Sequence, residues 1–143
     1  MEKINPIVID TWAWIEYFSG TEEGKIVAKY LSEHECYTPS IVLGEIAGKY
    51  FRENFPSSEV RKRLLFIMKM SNIINLDVEL AIEGGLCWVE LRNLAKTKNL
   101  SKKPSLSDGI ILAATRKING RVITGDPHFK FLKEVIFLGS KNS

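Results

Sequence analysis

The sequence predicts an α/β fold, with a parallel sheet of four to five strands covered by helices on both faces. Three observations predict it. Runs such as Ile7-Val8-Ile9 and Val122-Ile123-Thr124 are continuously apolar or nearly so, as strands buried on both faces are. The stretches between such runs carry apolar residues at helical spacing. The segments also alternate, in the order β-α-α-β-α-α-β-α-α-β-α-β, a pattern that argues for parallel pairing through helical crossovers. A chain of 143 residues, 45% hydrophobic and 26% charged, suits one globular domain with a proper core. We assign that domain to residues 1–138 and expect 139–143 to be a loose tail.

The elements follow from local signals. Pro6 precedes the first strand, Ile7-Val8-Ile9. Thr11 to Phe18 reads as a short helix closed by Ser19-Gly20, and Thr21 to Ser32 as a second helix with Thr21 as N-cap. Cys36-Tyr37-Thr38 is the second strand. Ser40 is expected to cap a helix running to about Asn54, and Ser57-Ser58 to cap the next, after the break at Pro56. That helix is expected to bury Val60, Leu64, Ile67 and Met68. Ile73-Ile74 with Leu76 is a weak third strand. Asp77 opens a long helix to about Lys98, with Leu80, Ala81, Leu86, Val89, Leu91 and Leu94 as apolar positions. Gly84-Gly85 weakens it by ~1 kcal/mol per glycine relative to alanine, which suggests close packing there. After the basic loop Lys98 to Lys103, the helix from Gly109 to Asn119 is apolar on most sides and should be buried. Arg121 to Thr124 and Val135 to Phe137 complete the sheet.

Composition excludes several classes. No run approaches the ~18 apolar residues of a membrane span, and the start lacks a signal peptide's basic and apolar segments, so a cytoplasmic protein without membrane contact is expected. Cys36 and Cys87 have no CxxC partner and read as buried free thiols. His34 and His128 do not pair with Cys or Glu at zinc spacing, so a histidine metal site is not expected. Dinucleotide and P-loop glycine motifs are absent, as is a Gly-x-Ser-x-Gly elbow. A net charge of +3 neither demands nor forbids nucleic acid. Trp12, Trp14, Trp88 and Phe18 read as packing residues.

The chemistry lies in Asp10, Glu45, Asp108 and Asp126. Asp10 ends the first strand, Asp108 sits at the start of the buried helix, and Asp126 follows the fourth strand. In an open α/β sheet these places converge on one crevice. Each acid has a plain structural role open to it: Asp10 as N-cap, Asp108 as capping-box partner of Ser105, Asp126 before Pro127 as N-cap, and Glu45 as ion-pair partner of Lys49. Yet Ser, Thr or Asn would cap as well, and the chain uses carboxylates at all three capping places. Glu45 lies beside the buried stripe of Val42 and Ile46. Clustered, half-buried carboxylates need cations, and oxygen-only ligand sets suit Mg²⁺ or Mn²⁺. Such a site suits metal-assisted phosphodiester hydrolysis. Thr124 is placed to hold a carboxylate or a water by its hydroxyl, with Thr11 and Ser107 as further supporting candidates. Lys49, Arg52, Lys102, Lys103 and Lys130 stand near the acids in sequence and could meet a phosphate backbone. A phospho-accepting aspartate is the weaker enzymatic alternative, because aspartate-nucleophile phosphatases want a second Asp where Trp12 stands.

These residues resemble a known family. Val8-Ile9-Asp10-Thr11, Pro39 to Ile46, Leu106-Ser107-Asp108-Gly109-Ile110-Ile111 and Val122-Ile123-Thr124-Gly125-Asp126-Pro127-His128-Phe129 together resemble a PIN-domain protein, most closely a VapC-type toxin ribonuclease, over nearly the whole chain. The resemblance implies a three-layer α/β/α fold and a Mg²⁺- or Mn²⁺-dependent endoribonuclease acting on RNA. It implies Asp10, Glu45, Asp108 and Asp126 as catalytic and metal-holding acids, supported by Thr124. It also implies a homodimer and a VapB-type antitoxin, for which the helices within Thr21–Asn54 and Val60–Met70 offer apolar surface. Gly109, where many relatives carry alanine, and Gly125, where a polar residue is frequent, depart from the pattern. The alternative is a PIN-like RNA-binding or scaffold module without nuclease activity.

Overall fold

The computed structural model describes residues 5–140. All five strands are parallel, in the order β3-β2-β1-β4-β5. They are β1 (Ile7–Ile9), β2 (Cys36–Pro39), β3 (Asn72–Ile74), β4 (Arg121–Thr124) and β5 (Val135–Phe137). Six helices cover them: α1 (Thr11–Ser19), α2 (Glu22–Glu33), α3 (Ser40–Arg52), α4 (Ser57–Met70), α5 (Val78–Thr97) and α6 (Leu106–Lys117). The arrangement is a three-layer α/β/α sandwich. The segment between β4 and β5, expected as a helix, is only a 3₁₀ turn at Pro127–Phe129.

β1 is central, and each of its three residues is buried. From β1 the chain builds outward to β2 and β3 on one side, then returns to lay β4 and β5 on the other. The order therefore reverses between β1 and β4. At such a switch point the connections leave in opposite directions and open a crevice at the carboxyl ends of the strands. Asp10 directly follows β1, and Asp126 comes two residues after β4.

Several local signals act as the sequence predicts. Asp10, Thr21 and Asp77 cap α1, α2 and α5 with side-chain oxygens, and Gly20 closes α1 in the left-handed region. Others act differently. Ser40 and Ser57 are the first residues inside their helices, and the N-caps are Pro39 and Pro56, which offer no side-chain bond. The Ser40 hydroxyl instead accepts from Leu76 N at 3.1 Å, tying α3 to the loop after β3. Helix α6 begins at Leu106, before Asp108, with Ser105 as its cap. Leu76 lies beyond β3 and is exposed, and Met68 is also exposed. On α5 the core side is Leu80, Gly84, Cys87, Leu91 and Ala95. Leu86 and Val89 face outward, with Val78 and Ile82. Apolar residues therefore lie on opposite sides of α5, and apolarity alone could not say which side is inside.

The suggestion of close packing at Gly84 holds. A Cβ on Gly109 would lie 2.4 Å from the Gly84 carbonyl oxygen and 2.7 Å from Trp88 N, so α5 and α6 touch backbone to backbone at the start of α6. Gly85 has open space around the corresponding position. Trp14 is fully buried, and its indole N–H donates to Thr38 Oγ1 at 3.0 Å. Both cysteines are buried and free, and burial pushes the Cys36 thiol up to about 11. Gly139 packs against the Gly125 carbonyl, and residues 141–143 of the expected tail lie outside the described residues. Among the described residues no helix is long and apolar enough to cross a membrane.

Candidate active site

The crevice at the β1/β4 switch point is a cavity of about 850 Å³. Asp10, Glu45, Asp108 and Asp126 all line it, together with Thr11, Trp12, Ile15, Glu16, Lys49, Lys102 and His128. Four separate elements thus bring the four predicted acids to one place.

Capping and a place in the cavity wall coexist. Asp10 Oδ1 accepts from Ala13 N at 2.9 Å, and Asp126 Oδ1 accepts from His128 N at 2.9 Å. Asp108 Oδ2 accepts from Ser105 N at 2.9 Å while Ser105 Oγ accepts from Asp108 N at 3.2 Å, completing a capping box. Each cap uses one named carboxylate oxygen, and a helix start favours the negative charge. Capping therefore aims these carboxylates as well as satisfying orphan N–H groups. Glu45 is held differently. Thr11 Oγ1 donates to its Oε1 at 2.6 Å, while Lys49, its expected ion-pair partner, approaches Glu53 at 3.7 Å.

Thr124 is fully buried between two of the acids. Its Oγ1 accepts from Asp126 N at 3.0 Å, which leaves its proton to donate to the Asp10 carboxylate. One hydroxyl thus positions both acids. Thr124 is not among the residues lining the cavity, so it acts through the carboxylates it holds.

The electrostatics are unfavourable to the ionised acids. Burial, resisted by the Thr124 and Ala13 hydrogen bonds and reinforced by Asp126 and Asp108, pushes Asp10 from 3.8 to about 7. Burial and the neighbouring Asp126 push Asp108 from 3.8 to about 6. Like charges gathered out of water favour protonation unless a cation joins them. Carboxylates with raised proton affinity are also the ones a divalent ion would relieve most. By this test the donor set fits a hard cation such as Mg²⁺ or Mn²⁺.

The lining residues that sequence reasoning missed include His128, Trp12 and Glu16. His128 is the most consequential: its Nδ1 lies 3.1 Å from Asp126 Oδ1 and 3.4 Å from Asp108 Oδ2. Asp108, Asp126 and His128 could together hold a metal ion, against the expectation that histidine takes no part. The available signal was Asp126-Pro127-His128, because a turn opened by Asp-Pro carries the residue after proline back toward the capping carboxylate. Trp12 and Glu16 were missed as well. With Ile15 they form a helical face one turn along from Asp10, the spacing that could have found them. Trp12 also explains Gly125: a Cβ there would lie 2.3 Å from the indole ring. Of the predicted basic residues, Lys49 and Lys102 reach the cavity wall.

The comparisons with known proteins agree with this architecture. The family model of the PIN domain matches residues 7–135. The chain belongs to the PIN-domain family. A comparison with curated proteins found no match. Among solved structures, the chain is similar to VapBC-1 from nontypeable Haemophilus influenzae, with a TM-score of 0.67, 14% identity, and 94% of this chain and 97% of that chain covered. It is similar to VapC20 of Mycobacterium tuberculosis, described as a sarcin-ricin loop cleaving toxin, with a TM-score of 0.65, 16% identity, and coverage of 90% and 96%. It is also similar to a toxin–antitoxin complex from Klebsiella pneumoniae, with a TM-score of 0.63, 21% identity, and coverage of 91% and 95%. At these identities the likeness is one of fold.

Proposed function

We propose that this protein is a divalent-metal-dependent endoribonuclease, the VapC-type toxin of a toxin–antitoxin pair, acting on RNA in the cytoplasm. The observation that carries the proposal is the meeting of Asp10, Glu45, Asp108 and Asp126 in one cavity, with Asp10 and Asp108 raised well above ordinary carboxylates. A purely structural role would not gather four acids at such electrostatic cost.

Asp10, Asp108 and Asp126 would hold the ion, with Glu45 beside them. When bound, the ion neutralises charge on the scissile phosphate and lowers the pKa of the attacking water. The chain's own residues do the rest. Lys49 and Lys102 on the cavity wall hold phosphates of the RNA backbone. Thr124 keeps the Asp10 and Asp126 carboxylates in register. Glu45, fixed at Oε1 by Thr11, uses its other oxygen to orient water for in-line attack on phosphorus. The bond to the 3′-oxygen breaks, leaving 5′-phosphate and 3′-hydroxyl ends.

Partners follow the same reading. Three of the similar structures are VapBC pairs, which supports a VapB-type antitoxin here. A groove of about 350 Å³ between α3 and α4, lined by Leu43, Phe51, Leu65 and Met68 among others, gives that protein or a second copy in a homodimer apolar surface to cover.

The test is cleavage of a mixed structured and single-stranded RNA pool by wild type and Asp108→Asn, with Mn²⁺, with Mg²⁺ and with EDTA. Cutting by wild type alone, abolished by EDTA, is the expected result. RNA binding without cutting by well-folded wild type in either metal would instead favour the scaffold module.

A further inference from the structure

His128 is the part of the cavity that an all-carboxylate site does not explain. Its backbone N–H belongs to the turn opened by Asp126, but its ring has a separate arrangement. Nε2 lies 2.8 Å from the Lys102 carbonyl oxygen. A carbonyl only accepts, so Nε2 carries the proton, and in the neutral ring Nδ1 is left with its lone pair. That Nδ1 is buried, and its nearest polar neighbours are Asp126 Oδ1 at 3.1 Å and Asp108 Oδ2 at 3.4 Å. A proton on Nδ1 would bridge it to these carboxylate oxygens, and a metal ion can take that proton's place among the same three atoms. The three atoms face one another from separate sides of one small space.

The spacing fits one ion. Ligands about 2.1 Å from an octahedral ion stand about 3.0 Å apart on adjacent corners and about 4.2 Å apart on opposite ones. Both observed separations are close to the adjacent-corner value, and candidate ligand atoms of Asp108, Asp126 and His128 all lie within 4.8 Å of one another. The outer nitrogen is also as a ligating histidine requires: an N–H bonded to a backbone carbonyl fixes ring orientation and tautomer.

Resting on the metal-dependent reading above, we propose that His128 Nδ1 is a ligand of the same divalent ion held by Asp108 and Asp126, and that it biases the site toward Mn²⁺ over Mg²⁺. Imidazole is a better donor to first-row transition ions than to Mg²⁺, which prefers oxygen. The departure from an all-oxygen donor set belongs to this chain's Asp126-Pro127-His128 turn and its seat against Lys102.

The experiment is Mn²⁺ binding to the whole purified chain, read by pulsed electron paramagnetic resonance for nitrogen coupling and by calorimetry for Mn²⁺ and Mg²⁺ affinity. Two variants accompany wild type. His128→Ala removes the ring, and His128→Gln retains an N–H able to reach the Lys102 carbonyl while removing Nδ1. Circular dichroism checks that both fold. The expected result is nitrogen coupling in wild type and its loss in both variants. Mn²⁺ affinity should fall at least roughly tenfold, by analogy with the loss of outer-shell partners, and Mg²⁺ affinity should change less. Tight Mn²⁺ binding by wild type without nitrogen coupling overturns the role of His128 and leaves the carboxylate site standing. So does an unchanged Mn²⁺-to-Mg²⁺ preference in the variants. Failure of wild type to bind either ion overturns both this inference and the metal-dependent nuclease reading.

Discussion

Helix α6 carries charge at both ends, and the two ends are built in opposite ways. At its C-terminal end Arg116 donates to Glu90 at 2.6 and 3.1 Å and to Glu134 at 2.7 Å. Those bonds hold the Glu90 carboxyl below its ordinary value and raise Arg116 further. The cluster has its cation within the chain, in the last turn, where the helix dipole also favours positive charge. At the N-terminal end Asp108 meets Asp126, with Asp10 and Glu45 close enough to add to the repulsion, and the carboxylates are raised. The first cluster completes itself. In the second, the His128 ring beside Asp108 and Asp126 offsets the repulsion only in part, and Asp10 and Asp108 stay raised. The acidic groups gathered at the two ends of one helix thus differ in how fully the fold supplies counter-charge, and that difference separates a brace from a candidate site.

The largest expected effect is on pH-dependent stability without metal. Asp10 is raised from 3.8 to about 7, so its contribution is favourable at low pH and is lost as pH rises through about 7. Below about 4 the folded and unfolded forms are both protonated at this group. Between those values the unfolded form releases the proton first, and stability falls, by up to roughly 4 kcal/mol from this group. In EDTA, thermal unfolding should show a larger loss in wild type than in Asp10→Asn, where only the smaller loss from the raised Asp108 remains. Mn²⁺ should then stabilise wild type more at pH 8 than at pH 5. Equal pH profiles for the two proteins would show that Asp10 is not under this stress. The Arg116 end should show no such response to Mn²⁺.

The second comparison concerns how each end is anchored. The N-terminal end rests on backbone contact between Gly84 and Gly109, where an added Cβ meets the Gly84 carbonyl oxygen at 2.4 Å. Gly109→Ala should lower stability by about 1–3 kcal/mol through overpacking and should weaken metal binding by moving Asp108. Chemical denaturation and calorimetry measure the two effects, and a neutral outcome in both would show that α5 yields easily. The smallest effect is expected at the other end. Arg116 is about a third exposed and Glu90 half exposed, so solvent screens that pair, while Glu134 is mostly buried. Arg116→Met should therefore lower stability by about 1–2 kcal/mol and leave Mn²⁺ affinity unchanged. A change in Mn²⁺ affinity would mean that the two ends of α6 are coupled.

Much of this protein is legible along the chain. Strand runs, caps at Thr21 and Asp77, and the stop at Gly20 depend on residues within one turn of each other, and local physics decides them. The positions of Asp10, Asp108 and Asp126 were readable too, because helix starts and strand ends are local features. Parallel topology then required those places to share a crevice. The place of Thr124, two residues before Asp126, was readable for the same reason.

Other features were decided by contacts distant along the chain. The buried face of α5 could not be chosen from its own sequence, because Leu86 and Val89 are as apolar as Leu80 and Leu91, and only contact with α6 decides between them. Ser40 looked like a cap until the loop after β3 brought Leu76 N to its hydroxyl. Beyond Asp126, two residues before it, the partners of His128 are Asp108 and the Lys102 carbonyl, 20 and 26 residues away in the chain, so its full setting was not readable. The sequence by itself determined which acids exist and which strand ends and helix starts they occupy. The tertiary structure decided which atoms share their space and whether a counter-charge reaches them, because burial and electrostatic coupling depend on distance in space rather than along the chain.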